Sequence, residues 1–322
     1  MTRSTAGDSV EVVGRDKLSA GAVRAKRGLS LLLLALVLLW GAGVGGQALI
    51  GAPASESEQA KALVDKALSA IAKVDDYRGT MIKRELFGDE LVEETFEFKF
   101  ARPLKVYVKY IEPHAGREGI YVRGSNDNKL RVHKGSFPDI TVSVRPFGRA
   151  GMRGLHHPIT SFGLERMLRI SSYNIRKAIR IGVTTLEVSD GGVVHGEPTW
   201  RIDIKCELGG YYVNVGRSEN LWGLAKRVGQ DMYVILHHND GIDSPTDVRP
   251  GQSVFVPRHY GSRGEYFFSK RTFMMIKAST WDQRGRLYES YEFTELELNP
   301  GLTDQDFDPR NKDYGFRRSD QR

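Results

Sequence analysis

The stretch VNVGRSENLWGLAKRVG, Val213–Gly229, interrupts a long run of alternating apolar and polar residues. Strand-like sequence flanks it on both sides. Val213 and Val215 predict a short strand, and Ser218 is read as the N-cap of a helix. Leu221, Leu224, Ala225 and Val228 then fall on one helical face. Gly229 stands where a left-handed C-cap is wanted. DMYVILHHN predicts a second short helix, with Met232, Ile235 and Leu236 inward and Asn239 at its end. DVRPGQSVFVP turns through Pro-Gly into a strand at Val254–Val256. The order β-α-α-β in about fifty residues suits a small module with its own core.

This unit resembles a LysM domain. Val213 and Val215 take the strand positions, Leu221 and Trp222 open the first helix, and Asn239 matches the asparagine that ends the second. VRPGQSVFVP matches the closing L-x-P-G-Q-x-L-x-I-P pattern nearly residue for residue. The glycine of the family's Gly-Asp-Thr/Ser loop is Ser218 here, followed by Glu219 and Asn220. The resemblance implies a groove for N-acetylglucosamine-containing glycan, hence peptidoglycan as partner. Its residues would be Ser218, Glu219, Asn220, Leu221, Asn239, Asp240, Gly241 and Ile242. The departure at Ser218 falls in the groove loop itself, so a LysM kept as a spacer or protein contact is the alternative.

Removing residues 210–258 joins WRIDIKCELGG to YGSRGEYFFSKRTF, two strands meeting across a glycine-rich loop. The module therefore reads as an insertion into a host domain built from residues 55–209 and 259–322, an arrangement that exposed turns tolerate. The host opens with an amphipathic helix bearing Ala60, Leu63, Val64, Ala67, Leu68 and Ile71, with Ser55 and Glu58 at capping-box spacing. An antiparallel meander follows. TFEFKF aligns Phe96, Phe98 and Phe100, KVYVKYI aligns Val106, Val108 and Tyr110, and a hairpin turns at Gly124–Asp127. SFGLERMLRISSYNIRKAIRIG is helical, with a break expected at Ser171-Ser172. More strands end the chain, with a turn at Asp282–Gly285. The fold class is α+β, helices laid against one curved antiparallel sheet.

This layout, with DQRGRLYESYEF at Asp282–Phe293, resembles the lipoprotein-carrier (LolA-like) class. The ending YESYEFTELELNPGLTDQDFDP is similar to that of an uncharacterised exported family of the same fold. The resemblance implies a strongly curved half-barrel with helices closing its mouth over an apolar cavity, and a lipid or lipidated protein as ligand. Expected liners are Phe96, Phe98, Phe100, Val106, Val108, Met274 and Ile276. The alternative is a filled core and a structural protein linking peptidoglycan to protein partners.

The N-terminus addresses the chain. Arg24, Lys26 and Arg27 precede the apolar run Leu29–Ile50, which is long enough to cross a hydrocarbon core of ~30 Å. Small residues follow, with signal-peptidase-like sites at Ala52-Pro53-Ala54 and Gly46-Gln47-Ala48. Residues 1–54 are thus a cleaved signal peptide or an inner-membrane anchor, and either places the rest in the periplasm or cell envelope. The net charge of +7 falls to +4 once these residues, with six basic and three acidic side chains, are set aside. That is too mild to point to a nucleic-acid partner, and export argues against one further.

No catalytic constellation emerges. Cys206, the single cysteine, shares a strand face with Trp200, Ile202, Ile204 and Leu208 and reads as a small core residue. His156-His157 and His237-His238 lack zinc-site spacing, and there is no G-x-S-x-G elbow. Asp304, Asp306 and Asp308 imitate a calcium loop, but Pro309 and Gly315 replace its required glycine and glutamate. That segment reads as a C-terminal wrap. No metal or cofactor is expected. The basic, glycine-rich RPFGRAGMRGLHHP reads as an exposed loop or as an anion contact at the cavity mouth.

Overall fold

A computed structural model describes residues 55–316. The signal or anchor segment lies outside the described residues. Among them, no helix is long and apolar enough to cross a membrane.

Helix α1 (Glu56–Ile71) starts at the expected capping box. Ser55 Oγ accepts from the Glu58 amide at 3.3 Å, and Glu58 Oε2 accepts from the Ser55 amide at 2.9 Å. Its buried stripe is Ala60, Leu63, Val64, Ala67 and Ile71. Each large apolar side chain on it contributes about 1.5–3 kcal/mol by leaving water.

Strands β1 (Asp76–Phe87), β2 (Glu90–Ala101), β3 (Lys105–Glu112), β4 (Glu118–Val122), β5 (Leu130–His133) and β6 (Thr141–Val144) form a meander. Helix α2 (Leu164–Ile181) crosses next, then β7 (Thr185–Val194) and β8 (Glu197–Lys205). The insertion comprises β9 (Gly210–Asn214), α3 (Leu221–Val228), α4 (Met232–His237) and β10 (Ser253–Pro257). Strands β11 (Arg263–Ser269), β12 (Met275–Trp281) and β13 (Leu287–Leu298) complete the chain.

Eleven strands make one antiparallel sheet in the order β6-β5-β4-β3-β2-β1-β13-β12-β11-β8-β7, and it does not close. The first and last host strands meet at β1–β13, so the C-terminal strand occupies the centre. Helices α1 and α2 pack on each other and share one core with β1, β2, β3, β12 and β13. The fold class is α+β, a large curved open sheet with few helices. On the other face the C-terminal segment packs Phe307 and Phe316 against Tyr107 and Ile120. Lys99 pairs with Asp306 at 2.8 Å, Lys105 with Asp304, and Arg310 with Asp308. Asp304 and Asp306 fasten the wrap to β2 and β3, while the Arg310–Asp308 pair lies within it.

β8 pairs with β11 in a register that sets Lys205 opposite Arg263, with residues 206–262 between the two strands. β9 and β10 form their own two-stranded sheet over a separate core.

Three local expectations need correction. Helix α2 is not broken at Ser171-Ser172; both serines are buried within it, where small side chains allow close packing. The N-cap of α3 is Asn220, not Ser218; its side chain accepts from the Gly223 amide at 3.1 Å, while Ser218 lies in an exposed turn. On the β8 face only Ile202 and Ile204 are buried. Trp200 and Leu208 are 40% and 64% exposed, because Leu208 lies beyond the end of the strand and Trp200 lies under the Lys270 ammonium instead of the core.

Candidate functional site

The curved sheet, α2 and the loop of residues 145–158 border a partly open cavity of about 1050 Å³. Its two ends follow from strand register. Met81 lies opposite Phe96 on β2 and Phe293 on β13, and Val132 lies opposite Val142. These line an apolar end, with Ile159, Phe162, Met167 and Ile170 above them. One step along β1, Lys83 lies opposite Glu94 and Tyr291, and Glu85 lies opposite Glu289. All five of these line the cavity too.

This polar end is a connected network. Lys83 Nζ lies 3.1 Å from Glu85 and 2.7 Å from Glu94, all three buried. The Tyr291 hydroxyl lies 2.7 Å from Glu85 and 3.1 Å from Glu289, its one proton shared between the two carboxylates. Tyr260 donates to Glu289 at 2.8 Å, and His157 Nε2 lies 3.3 Å from the same carboxylate. Burial alone would lower the His157 pKa, but its hydrogen bond to Glu289 and that residue's charge push it up to about 9. Burial opposes the Glu289 charge, yet the imidazoles of His156 and His157 hold its carboxyl well below the usual range. Buried charges survive only when paired in this manner.

Of the expected liners, Phe96 and Val108 border the cavity. Phe98, Phe100, Val106, Met274 and Ile276 belong to the packed core together with α1. Period-two reading put all three phenylalanines on one face, and they share it. The far end of that face is covered: Phe100 stacks on Tyr77 at 4.7 Å, and the Tyr77 hydroxyl accepts from the Leu164 amide at the start of α2. Gly163 permits this approach. Its φ is +116°, and a Cβ there would lie 2.7 Å from the Tyr77 hydroxyl.

Sequence reading missed the polar network. The signal was present as phase: Lys83 and Glu85 share the Met81 face of β1, and Glu289 and Tyr291 share the Phe293 face of β13.

The inserted module shows a different use of polar residues. Asn239 donates to the Ile235 and Phe255 carbonyls at 2.7 and 2.8 Å and accepts from the Phe255 amide at 2.8 Å. Glu219 accepts from the Gly216 amide and pairs with Arg227 at 2.8 Å. Asn220 is the helix cap. Leu221 and Ile242 are buried in the module core. The two groove loops lie side by side, joined by the Leu221 amide donating to the Pro245 carbonyl at 2.9 Å. Ser218, Asp240 and Gly241 are exposed on them, with Asp240 paired to Arg284 of the host at 3.3 Å.

The module is docked on the host. Val234 is buried among Leu86, Tyr260 and Tyr288, His237 meets Asp282 at 3.1 Å, and Trp222 faces Phe147 edge-on at 6.5 Å. Phe147 belongs to the loop that roofs the cavity.

Cys206 is half-buried, and burial pushes its thiol up to about 11, which suppresses thiolate at neutral pH. Among the described residues, no group of three or more His, Cys, Asp or Glu is placed to hold a metal ion.

An open, curved α+β sheet with a cavity on its covered face, carrying a βααβ module between two neighbouring strands, defines the class of protein. Residues 74–208 and 256–316, more than half of the chain, match the family described as "Protein of unknown function (DUF1571)", and the chain belongs to that family. Residues 213–257 match the LysM domain. No curated protein matches the chain. Solved structures similar to it include the lipoprotein LppX of Mycobacterium tuberculosis, at 13% identity over 76% of this chain and 96% of that one, TM-score 0.36. Another is a LolA superfamily protein of Nitrosomonas europaea, at 11% identity over 77% and 96%, TM-score 0.27. A DUF1329 family protein of Desulfovibrio piger gives 11% identity over 77% and 96%, TM-score 0.32.

Proposed function

We propose that this is a cell-envelope protein that holds to peptidoglycan through its LysM module and takes the apolar chain of a lipid or lipidated protein into the host cavity. The cavity itself carries this reading. At about 1050 Å³ it matches the upper end of ligand pockets, roughly 300–1,000 Å³, and its apolar end suits a hydrocarbon chain. A structural protein with a filled core would leave no such space. The exported address read from residues 1–54 and the LysM match support the envelope location. The domain division of 55–209 with 259–322 around 210–258 belongs to the same proposal. Binding rather than catalysis is the proposed activity.

Two measurements test the two halves. Full-length protein should co-sediment with purified sacculi, and Ser218→Tyr, a bulky change on an exposed groove loop, should reduce the pelleted fraction. Equal pelleting of both proteins removes the groove from the proposal. The delipidated chain should take up a fluorescent fatty acid, and Ile170→Trp, which fills the apolar end, should block uptake. Uptake undiminished by the tryptophan removes the cavity.

A further inference from the structure

The polar end of the cavity holds more cations than its carboxylates can use. Four carboxylates line the cavity: Glu85, Glu94, Glu118 and Glu289. Each is already engaged. Glu85 and Glu94 hold Lys83, and Glu289 holds His157, Tyr260 and Tyr291. Glu118 accepts from the Tyr107 hydroxyl at 2.9 Å and the Gly315 amide at 2.7 Å.

Arg117, Arg149 and Arg153 also line the cavity, and among the described residues none of the three forms an ion pair. Arg117 is half-buried, its guanidinium set 5.6 Å over the Tyr110 ring. Its backbone carbonyl accepts from the Tyr110 amide at 2.8 Å; Tyr110 lies opposite Phe96 on β2, and its phenol feels the charges of Glu94, Lys83 and Arg117, so Arg117 stands where the apolar end meets the polar network. Arg149 and Arg153 approach from the roofing loop, which turns tightly there: a Cβ on Gly151 would lie 2.2 Å from the Arg145 carbonyl oxygen. Three guanidinium-bearing side chains thus border one space whose other end is hydrocarbon, Arg117 half-buried and Arg149 and Arg153 exposed at its rim. Guanidinium groups bind carboxylate and phosphate oxygens through paired, charge-assisted hydrogen bonds.

Building on the cavity reading above, we propose that the ligand is an anionic amphiphile. Its acyl chain lies against Phe96, Val132 and Ile170, and its carboxylate or phosphate head lies against Arg117, Arg149 and Arg153. The arginines select the head; the apolar end accepts the tail with little discrimination.

The test is competition for the cavity. The purified full chain, stripped of lipid on a hydrophobic resin, is loaded with the neutral dye N-phenyl-1-naphthylamine. Palmitate, hexadecyl phosphate and hexadecanol then displace it in parallel. The two anions should displace at concentrations at least about tenfold below hexadecanol. In the Arg117→Gln/Arg149→Gln/Arg153→Gln variant all three should act at the hexadecanol level, with hexadecanol itself unchanged. The pair Arg149→Gln/Arg153→Gln, both on an exposed loop, gives the same reading with part of the loss if the triple variant fails to fold. Equal displacement by all three from the native chain overturns the head selection and leaves the apolar cavity standing. A folded triple variant that keeps the anionic preference overturns it as well. Displacement by inorganic phosphate at the concentration of hexadecyl phosphate would mean a bare anion site and no amphiphile. No dye uptake at all overturns the cavity reading itself.

Discussion

The inserted module and the host cavity use polar side chains in opposite ways. In the module, Asn220, Glu219 and Asn239 are consumed by capping and by stitching loops to strands. Their hydrogen bonds stay inside the module, from three positions apart at Asn220 and Glu219 to sixteen between Asn239 and Phe255. In the cavity, Lys83, Glu85 and Glu94 from the β1–β2 hairpin are completed by His157 and by Glu289 and Tyr291 of β13, which come from distant segments. The module's polar residues maintain its shape. The cavity's network sustains buried charge beside space that a ligand can enter, and that is costly to arrange unless every member is present.

The comparison can be broken by removing one member on each side. Glu289→Leu leaves His157, Tyr260 and Tyr291 facing a void of charge; a loss of about 3–5 kcal/mol is expected, seen as a lower midpoint in urea. A loss below about 1 kcal/mol would mean that the network is loosely held. Asn239→Ala removes three hydrogen bonds from the end of α4. About 2–3 kcal/mol is expected there, with amide exchange rising in 210–258 before the host. Gly163→Ala should cost about 1–3 kcal/mol, because its φ is +116° and its Cβ would meet Tyr77.

A pH series sharpens the difference further. The folded-state pKa of His157 is raised to about 9 from 6.5. Its contribution is therefore complete below pH 6.5 and is lost as pH rises through about 9. Glu289 is depressed, so its contribution is present above its ordinary pKa and is lost on acidification. Stability should peak between those limits, with a melting temperature about 4–8 °C lower at alkaline pH. His157→Gln should flatten the alkaline limb. A fall of the same size in that variant would assign it to other groups. The smallest stability effect belongs to Ser218→Tyr: within about 0.5 kcal/mol, since the side chain is exposed in a turn. A larger loss would show that the groove loop, like its neighbours Glu219 and Asn220, is structural.

The module was legible almost throughout. Its strands, both helices, the left-handed Gly229 at φ +67° and the closing Pro-Gly turn all rest on neighbours in sequence. The exception, the cap at Asn220 in place of Ser218, is a choice between two residues that can each cap, decided by where the chain enters the helix. In the host, alternation located most strands and the pairing of β8 with β11 across the insertion. It did not tell Phe96, at the cavity, from Phe98 and Phe100, in the packed core. Period two assigns a face; it carries no information on how far along that face the helices reach.

By itself, then, the sequence determined the α+β class, the LysM insertion and the apolar faces, because propensity, periodicity and turn chemistry act over a few residues. Only the tertiary structure decided that the host keeps a cavity, that its polar end is a closed network of buried charge, and that three arginines border it with no carboxylate partner among the described residues. Those properties depend on which residues from β1, β4, β13 and the roofing loop arrive at the same place. Whether a carboxylate meets its cation is a matter of ångströms in space, and separation along the chain does not encode it.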